Sequence, residues 1–584
     1  MRKIALAATA LLGALCAAGR AQSLDGLRVG HWVEVKGELI GPTLFRAQSL
    51  EVLPPDDEEV LLGVAQSVSR ADSSFSVLGQ RIGVGPRTRW EGIALAELEG
   101  RRVKVEGHYR GQHKFSAREI APRGEGRDRI AGRIDAISSA GDERRATVIG
   151  FELILPSDLK FENEGAFDAV ALAPQVDFES PTGTRLNDDD DYIPGAVALT
   201  DTLHLGVLLE YKGVREENYD LDEQDDEDET NQRLSLRAQL YWTPSAHFQA
   251  LFSPRYEFQD VREEGGSHER TGKPHVNEAW VSWRDIARSG VDVRVGRLDF
   301  DEPREWVYDR NLDAVRFVWR RDALKLELSG STVLDDGDDR DEHSNNWIAY
   351  LSNDDPERLL AAYVVDRRDD RSPRDYPIHF GARAIGEFAP DHESWLEASL
   401  LRGFSDNRDF EGYGFDVGTT WSPDFANPLS FTLGFAYGSG DDDPNDGTDE
   451  AFRQTGLQDN NGKFAGVTSF RYYGEVLDPE LSNLAIWTAG VGARIGPKTS
   501  VDLVYHVYDQ VDAADFMLDS DVEADPGELD GTQRGLGHEI DLILGTKAWK
   551  PWDFEIVYGR FDPGDAFVDE DAAWLLSFQA RFRF

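Results

Sequence analysis

WLLSFQARFRF, Trp574 to Phe584, is the stretch whose reading decides the fold. Its residues sort onto two faces, with Trp574, Leu576, Phe578, Ala580, Phe582 and Phe584 on one and Ser577, Gln579, Arg581 and Arg583 on the other. Successive side chains of a strand point to opposite faces, so this is a ribbon with lipid on one side and water on the other. Working back along the chain, the same two-sided pattern recurs to about residue 200, with connections that alternate between short and long. Strands are expected to begin near residues 203, 233, 247, 275, 291, 313, 323, 345, 358, 377, 394, 411, 428, 485, 499, 538, 552 and 572. Eighteen is even, as a bacterial single-chain barrel requires. The expected fold class is all-β: a transmembrane antiparallel β-barrel of about 18 strands over residues 201–584, preceded by small soluble β-modules.

Residues 1–21 read as a secretory signal: Arg2 and Lys3 form the positive end, Ile4 to Ala18 the apolar stretch, and Gly19-Arg20-Ala21 a small-x-small cleavage site. Cys16 follows a bulky Leu15 where a lipid-attachment signal wants a small residue, so the mature chain is expected to carry no cysteine. An exported protein without disulfides must close its structure otherwise, and a hydrogen-bonded barrel does so. The mean hydropathy of −0.48 suggests a soluble protein, but a barrel exposes only alternate residues to lipid and hides from such a measure. The net charge of −47 becomes −50 without the signal, which excludes nucleic acid as a partner and disfavours any polyanion unless the acid is kept off its path.

Residues 24–160 contain a tandem repeat with a period near 70. GHWVEVKGELIGPTLFRAQSLEV (Gly30 to Val52) returns as GRRVKVEGHYRGQHKFSAREI (Gly100 to Ile120), and LLGVAQSVSRADSSFSVLGQRIGV returns as IAGRIDAISSAGDERRATVIGFEL. Each copy is several short β-runs broken by Gly, which predicts two small barrel-like, OB-like modules. Their basic residues, Arg101, Arg102, Lys104, Arg110, Lys114 and Arg118, suit either a solvated surface or an acidic polymer. Residues 161–200, with Pro174, Pro181, Pro194 and the run Asp188 to Asp191, read as a linker.

The long barrel connections are acidic: Glu216 to Thr230, Asp335 to His343, Asp366 to Asp375, Gly440 to Glu450 and Asp509 to Asp530. With the N-terminal modules in the periplasm, parity places every such loop outside the cell and every short turn inside. Inside the lumen the alternation puts Arg233, Ser235, Arg237, Gln239 and Tyr241 of one strand and Arg316 and Arg320 of another on the water side. Arg294, Lys325, Arg383, Arg494 and Lys547 join them, together with the acids Asp292, Glu327, Asp416, Asp502, Glu539 and Asp541. The planar fork of arginine donates two parallel hydrogen bonds to a carboxylate, and rings of it favour anion passage.

Two further stretches are more specific than periodicity. FRQTGLQDNNGKFAGVTSFRYYGEVLDPELSNL (Phe452 to Leu484) and VGRLDFDEPREWVYDRNLDAVRF (Val295 to Phe317) closely resemble segments of the alginate export family, outer-membrane porins for an acidic polyuronate. The resemblance covers roughly residues 200–584 and implies a monomeric barrel with an arginine-lined constriction gated by loops. It carries over Arg453, Gln454, Asn460, Arg471, Tyr472, Tyr473 and Glu475, with Arg297, Asp309, Asn311 and Arg316. Arg453 and Arg471 are candidates to meet carboxylates. Tyr472 and Tyr473 could stack on pyranose faces or pack the loop, and Glu475 and Asp478 could hold the arginines. Parity assigns this loop to the outer side and leaves its entry into the pore undecided. LDFDEPRE (Leu298 to Glu305) is more acidic than the family's tendency, which makes a related acidic exopolysaccharide an equal candidate.

The resulting expectation is an outer-membrane channel that exports an anionic, alginate-like exopolysaccharide through an arginine-lined pore. The alternative is a porin for uptake of acidic oligosaccharides or general anions. An enzyme is not expected: His204, His247, His379, His506 and His538 are scattered, and GxSxG and HExxH are absent from the sequence. The expected surroundings are the outer membrane with its lipopolysaccharide, and periplasmic export machinery. No cofactor is expected beyond Ca2+ at the acidic outer loops, a reading that lacks EF-hand spacing.

Overall fold

The computed structural model describes most of residues 27–161 and 197–583. The signal sequence, most of the linker at 162–196, and short stretches that include 54–58, 222–227, 335–343, 370–374 and 523–527 lie outside the described residues. Several of the acidic runs named above fall wholly or partly there.

The chain forms two compact units. The first holds β1 (Trp32–Leu39), β2 (Leu44–Leu53), β3 (Glu59–Ser69), β4 (Ser74–Val77), β5 (Gln80–Trp90), β6 (Arg102–Tyr109), β7 (Lys114–Pro122), β8 (Asp128–Ala140), β9 (Glu143–Val148) and β10 (Phe151–Leu155), with the short β11 (Lys160–Phe161) beside β2. The sheet runs β1-β2-β10-β9-β8-β3-β4-β5-β7-β6, and two further pairings, β1–β8 and β3–β6, close it into two five-stranded barrels. Alternate residues, among them Val33, Val35, Phe45, Phe75, Val103, Val105 and Phe115, are buried in its core.

The repeat boundaries are not the barrel boundaries, which corrects the expectation of one module per repeat. The first copy supplies β1 to β5 and the second β6 to β10, yet each barrel takes the opening hairpin of one copy and the last three strands of the other. The second barrel is thus a contiguous piece, β3 to β7, inserted between the halves of the first. Equivalent strands of the two copies bury the same alternating face, so either copy can complete the other, as in domain exchange between identical chains. The equivalent strands β3 and β8 meet antiparallel, with Leu61 opposite Ile130, in the manner of a local dyad.

The second unit is the barrel. After the two-residue β12 (Val197–Ala198), it holds β13 (Leu203–Glu217), β14 (Asp228–Ser245), β15 (Phe248–Glu263), β16 (His268–Trp283), β17 (Val291–Phe300), β18 (Arg310–Arg321), β19 (Leu324–Thr332), β20 (Ser344–Asn353), β21 (Arg358–Asp369), β22 (Asp375–Ala389) and β23 (His392–Ser405). It continues through the short β24 (Arg408–Phe410), then β25 (Tyr413–Trp421), β26 (Leu429–Gly438), three two-residue strands β27 (Thr448–Asp449), β28 (Asn461–Gly462) and β29 (Phe470–Arg471), and β30 (Leu484–Arg494), β31 (Thr499–Gln510), β32 (Gly535–Trp549), β33 (Trp552–Pro563) and β34 (Ala573–Arg583). Among the described residues eighteen of these are long, each antiparallel to its neighbours, and β34 pairs with β13 from Leu208↔Arg583 to Glu217↔Trp574. The closing strand is the one quoted at the outset, and all eighteen expected strands are present.

Closure removes every long sheet edge and satisfies the backbone in lipid. The outward residues are large and apolar: Phe252, Phe317, Trp347, Leu433, Trp487, Leu503, Tyr558 and Phe578 are all exposed. So continuous an apolar surface suits lipid and not water.

Candidate functional site

The lumen is built from the polar alternates of the strands and from two long-loop segments that fold inward, residues 301–309 after β17 and 452–483 before β30. Both belong to one buried cluster with the wall, through Trp306, Val307 and Tyr308 from the first and Phe452, Leu457, Phe464, Tyr472, Tyr473 and Leu477 from the second. The second loop, left undecided by parity, therefore enters the barrel. It is pinned on several strands: the His379 ring bonds the Arg453 carbonyl at 2.9 Å, Tyr508 donates to the Tyr473 carbonyl at 2.8 Å, and Glu539 accepts the amides of Val476 and Leu477 at 2.7 and 3.0 Å. Gly474 permits the last approach, because it holds φ of +122° and a Cβ there would lie 2.3 Å from the Tyr508 hydroxyl.

Charges in this packed sector close on each other. Arg383 is fully buried between Glu397, at 2.6 and 2.8 Å, and Glu302, at 2.9 Å with a second, shorter contact. Glu302 also accepts the Val307 amide at 2.7 Å, which ties the loop's turn to the wall. Arg304 pairs with Asp416 at 2.6 Å and lies between the rings of Trp395 and Tyr472, 4.3 and 4.1 Å away. The acidic LDFDEPRE stretch thus supplies an internal counter-ion. Arg304 and Glu302 did not stand out in the sequence, because their partners are 112 and 81 residues away.

The motif residues fall mostly here. Tyr472 and Tyr473 are each 2% exposed. Tyr472 donates to the Arg304 carbonyl at 2.8 Å, and Tyr473 donates to Asp416 at 3.2 Å while accepting Trp306 Nε1 at 2.9 Å. Both rings are packed within the buried cluster that joins the loop to the wall. Arg453 pairs with Asp449 at 2.6 Å and lies 5.0 Å over Phe410. Arg471 pairs with Asp478 at 3.1 Å and with Asp521. Glu475 accepts the Arg471 amide at 3.2 Å, and burial pushes its carboxyl up to about 7. Asp309 donates its amide to the Leu457 carbonyl at 2.6 Å and so ties the two lumenal loops together.

The remaining candidates lie on the wall from β13 to β18. Arg237 is buried and directly opposite Arg255, which bonds Ser235 at 2.9 Å and pairs with Glu257. Arg297 pairs with Asp313 at 3.3 Å, and Asn311 stands opposite Asp299 with its buried Oδ1 lacking a hydrogen-bond partner. Arg316, 2% exposed, is directly opposite Arg294. Arg316 lies 3.8 Å over Phe300 and donates to Ser329 at 3.3 Å, while its Nη1 has no partner among the described residues. Arg294 lies 4.4 Å over Trp280. Among the described residues neither has a carboxylate within ion-pairing distance.

Among the described residues, one group of carboxylates close enough to hold a cation lies on the inward loops. Oxygens of Glu305, Asp309 and Asp459 lie within 4.8 Å of one another, apart from the acidic loop runs named in the sequence analysis. Burial and the neighbouring carboxylates push Glu305 well above the usual range.

Comparison with known proteins places this architecture. The family model described as alginate export matches residues 201–575, and the domain of unknown function DUF5666 matches residues 63–121, which coincides with the contiguous second barrel of the N-terminal unit. The chain is 33% identical over 176 residues to the alginate production protein AlgE of Pseudomonas aeruginosa, 27% of this chain and 34% of that protein. It is 29% identical over 143 residues to the protein of the same name from Azotobacter vinelandii, 23% of this chain and 28% of that protein. The matches thus span about a third of the length of these curated relatives. The solved OpdK structure of Pseudomonas aeruginosa with vanillate has a TM-score of 0.46 at 12% identity, covering 65% of this chain and 99% of that one. With well over half of its length matched by one model, and with a closed barrel of eighteen long strands, the chain is an outer-membrane protein that belongs to the alginate export family.

Proposed function

We propose that the barrel exports an anionic polysaccharide, with the polymer's carboxylates moving over the lumenal arginines of β14 to β18. The N-terminal unit then lies in the periplasm and the long loops face outward. The observation that carries this reading is the Arg294–Arg316 pair. Like charges directly opposite across a strand pair destabilise a sheet, and a buried guanidinium nitrogen without a partner is costly. An arrangement that keeps both beside aromatic faces is one that a passing carboxylate relieves, through the two-pronged geometry of the guanidinium. Trp280 and Phe300 hold the forks in place without neutralising them. Passage requires contacts that release, and Arg294 and Arg316, two arginines without an ion pair among the described residues, meet that need.

Single-channel recording of the purified, refolded full chain tests the reading. Anion selectivity is expected, with block by an added polyuronate and little by a neutral glucan of equal length. Cation selectivity, or equal block by both polymers, would overturn it.

A further inference from the structure

The outward face of β14, β15 and β16 changes character along its length. Toward the short-turn end its facing pairs are apolar: Leu240 with Phe252, Leu236 with Tyr256 and Leu234 with Phe258. The next outward positions are Gln232 with Asp260 and Thr230 with Arg262, and on β16 the residues opposite Asp260 and Arg262 are Arg270 and His268. The lipid-facing band therefore stops at Phe258, and directly beyond it stands a charged group made of Asp260, Arg262, Arg270 and His268.

Its geometry leaves cationic surface free. Arg262 Nε donates to Asp260 Oδ1 at 2.8 Å, Arg270 Nε donates to Oδ2 at 2.6 Å, and His268 Nε2 lies 3.2 Å from Oδ1. One carboxylate holds both guanidiniums by the inner nitrogen, so the terminal nitrogens have no partner among the described residues. The arginine side chains are 52% and 57% exposed. Another outward cluster is built differently. Above Ile556 and Tyr558 on β33, Arg560 gives both Nε and Nη2 to Asp562, so one arginine is closed by one carboxylate.

We infer that Asp260 presents Arg262 and Arg270 as a binding site for the phosphate of a lipid headgroup in the outer leaflet. A phosphate monoester carries about −1.5 to −2 charge and three acceptor oxygens, and paired guanidinium forks bind it two-pronged. The position at the upper limit of the apolar band sets the source, because a group facing away from the lumen at that level meets headgroups and not the transported chain. The inference uses the orientation given above, with long loops outward, but not the identity of what passes through the pore.

The test is native mass spectrometry of the full chain in detergent, with bisphosphorylated lipid A, the same lipid without its phosphates, and inorganic phosphate as probes. Hydrogen bonds to charged groups are worth roughly 1.5–3 kcal/mol, so the phosphorylated lipid is expected to bind about tenfold or more tighter than its dephosphorylated form. Arg262→Ala with Arg270→Ala should abolish that preference, Arg560→Ala should leave it, and both variants should remain folded because the side chains removed are exposed. An unchanged preference in the double variant overturns the site. Displacement of the lipid by millimolar inorganic phosphate overturns the lipid source, and displacement by an oligouronate assigns the surface to the polymer instead. Channel block does not enter this readout, so its failure and that of the export reading are separable.

Discussion

The barrel interior has two kinds of wall, and the difference lies in how arginine is answered. Where residues 301–309 and 452–483 pack against β20 to β33, each buried guanidinium meets a carboxylate: Arg383 meets Glu302 and Glu397, and Arg304 meets Asp416. On β17 and β18, by contrast, Arg294 stands opposite Arg316, each over an aromatic ring and neither with a carboxylate within ion-pairing distance among the described residues. Matched charge in a low-dielectric setting holds structure, and unmatched charge is available to a ligand. The comparison teaches that counting arginines on the water side of a barrel does not tell which of them could still receive an anion. What counts is which of them the protein has already neutralised.

The largest effect should come from breaking a matched group. Arg383→Leu would leave Glu302 and Glu397 buried together without a cation, and removing one partner of such a group costs about 3–5 kcal/mol. The urea midpoint of the refolded barrel should fall, and proteolysis should reach the 452–483 loop first. Glu302→Gln with Glu397→Gln in the same background should restore part of the loss. A midpoint unchanged by Arg383→Leu would contradict the claim that this sector is held by its charges.

The next effect belongs to the unmatched pair. Arg294→Ala and Arg316→Ala should each weaken polyuronate block by about tenfold, the range for a charge-assisted bond of ~1.5–3 kcal/mol. The effect of Arg294→Ala on stability should be near zero, since it removes a like-charge contact, whereas Arg316→Ala also empties a buried site and should cost more. Loss of stability without loss of block would turn the comparison around.

The strands were legible because alternation in lipid is strict: every barrel strand from Leu203 to Arg583 was readable from which residues were apolar. The function of Arg453 and Arg471 was not. A motif names residues without their pairings, and here both arginines are paired with carboxylates of the folded loops. Asp478 was readable from the motif as a residue that could hold an arginine, and it pairs with Arg471, whereas Asp449 and Asp521 were visible only as members of acidic runs. In the N-terminal unit the repeat was legible and the exchange of strands was not. Two copies with the same buried face give no sequence signal for which hairpin closes which barrel.

A pH series sharpens the comparison from the packed side. Burial pushes the carboxyls of Glu475 and Glu480, both on the inward loop, up to about 7. The folded loop therefore holds more protons than the unfolded chain between pH 4.5 and 7, and its stability falls as pH rises through that window. Hydrogen exchange at Val476 and Leu477 should be slower at pH 5 than at pH 8 after correction for the intrinsic rate. Glu475→Gln with Glu480→Gln should flatten the dependence.

The smallest effect is expected where the family motif points most directly. Arg453 and Arg471 are already paired and about one-third exposed, at 35% and 31%. An exposed pair of this kind is worth at most ~1 kcal/mol, so Arg453→Ala or Arg471→Ala should shift polyuronate block by less than about fivefold. The informative variants are those that remove the acid and leave the arginine. Asp449→Asn would free Arg453, and Asp478→Asn with Asp521→Asn would free Arg471, converting matched positions into unmatched ones. If unmatched arginine is what the polymer reads, block should strengthen in these variants while the single arginine deletions stay nearly silent. Strong loss of block on deleting Arg453 or Arg471 would place the binding surface on the folded loop and take it away from β17 and β18.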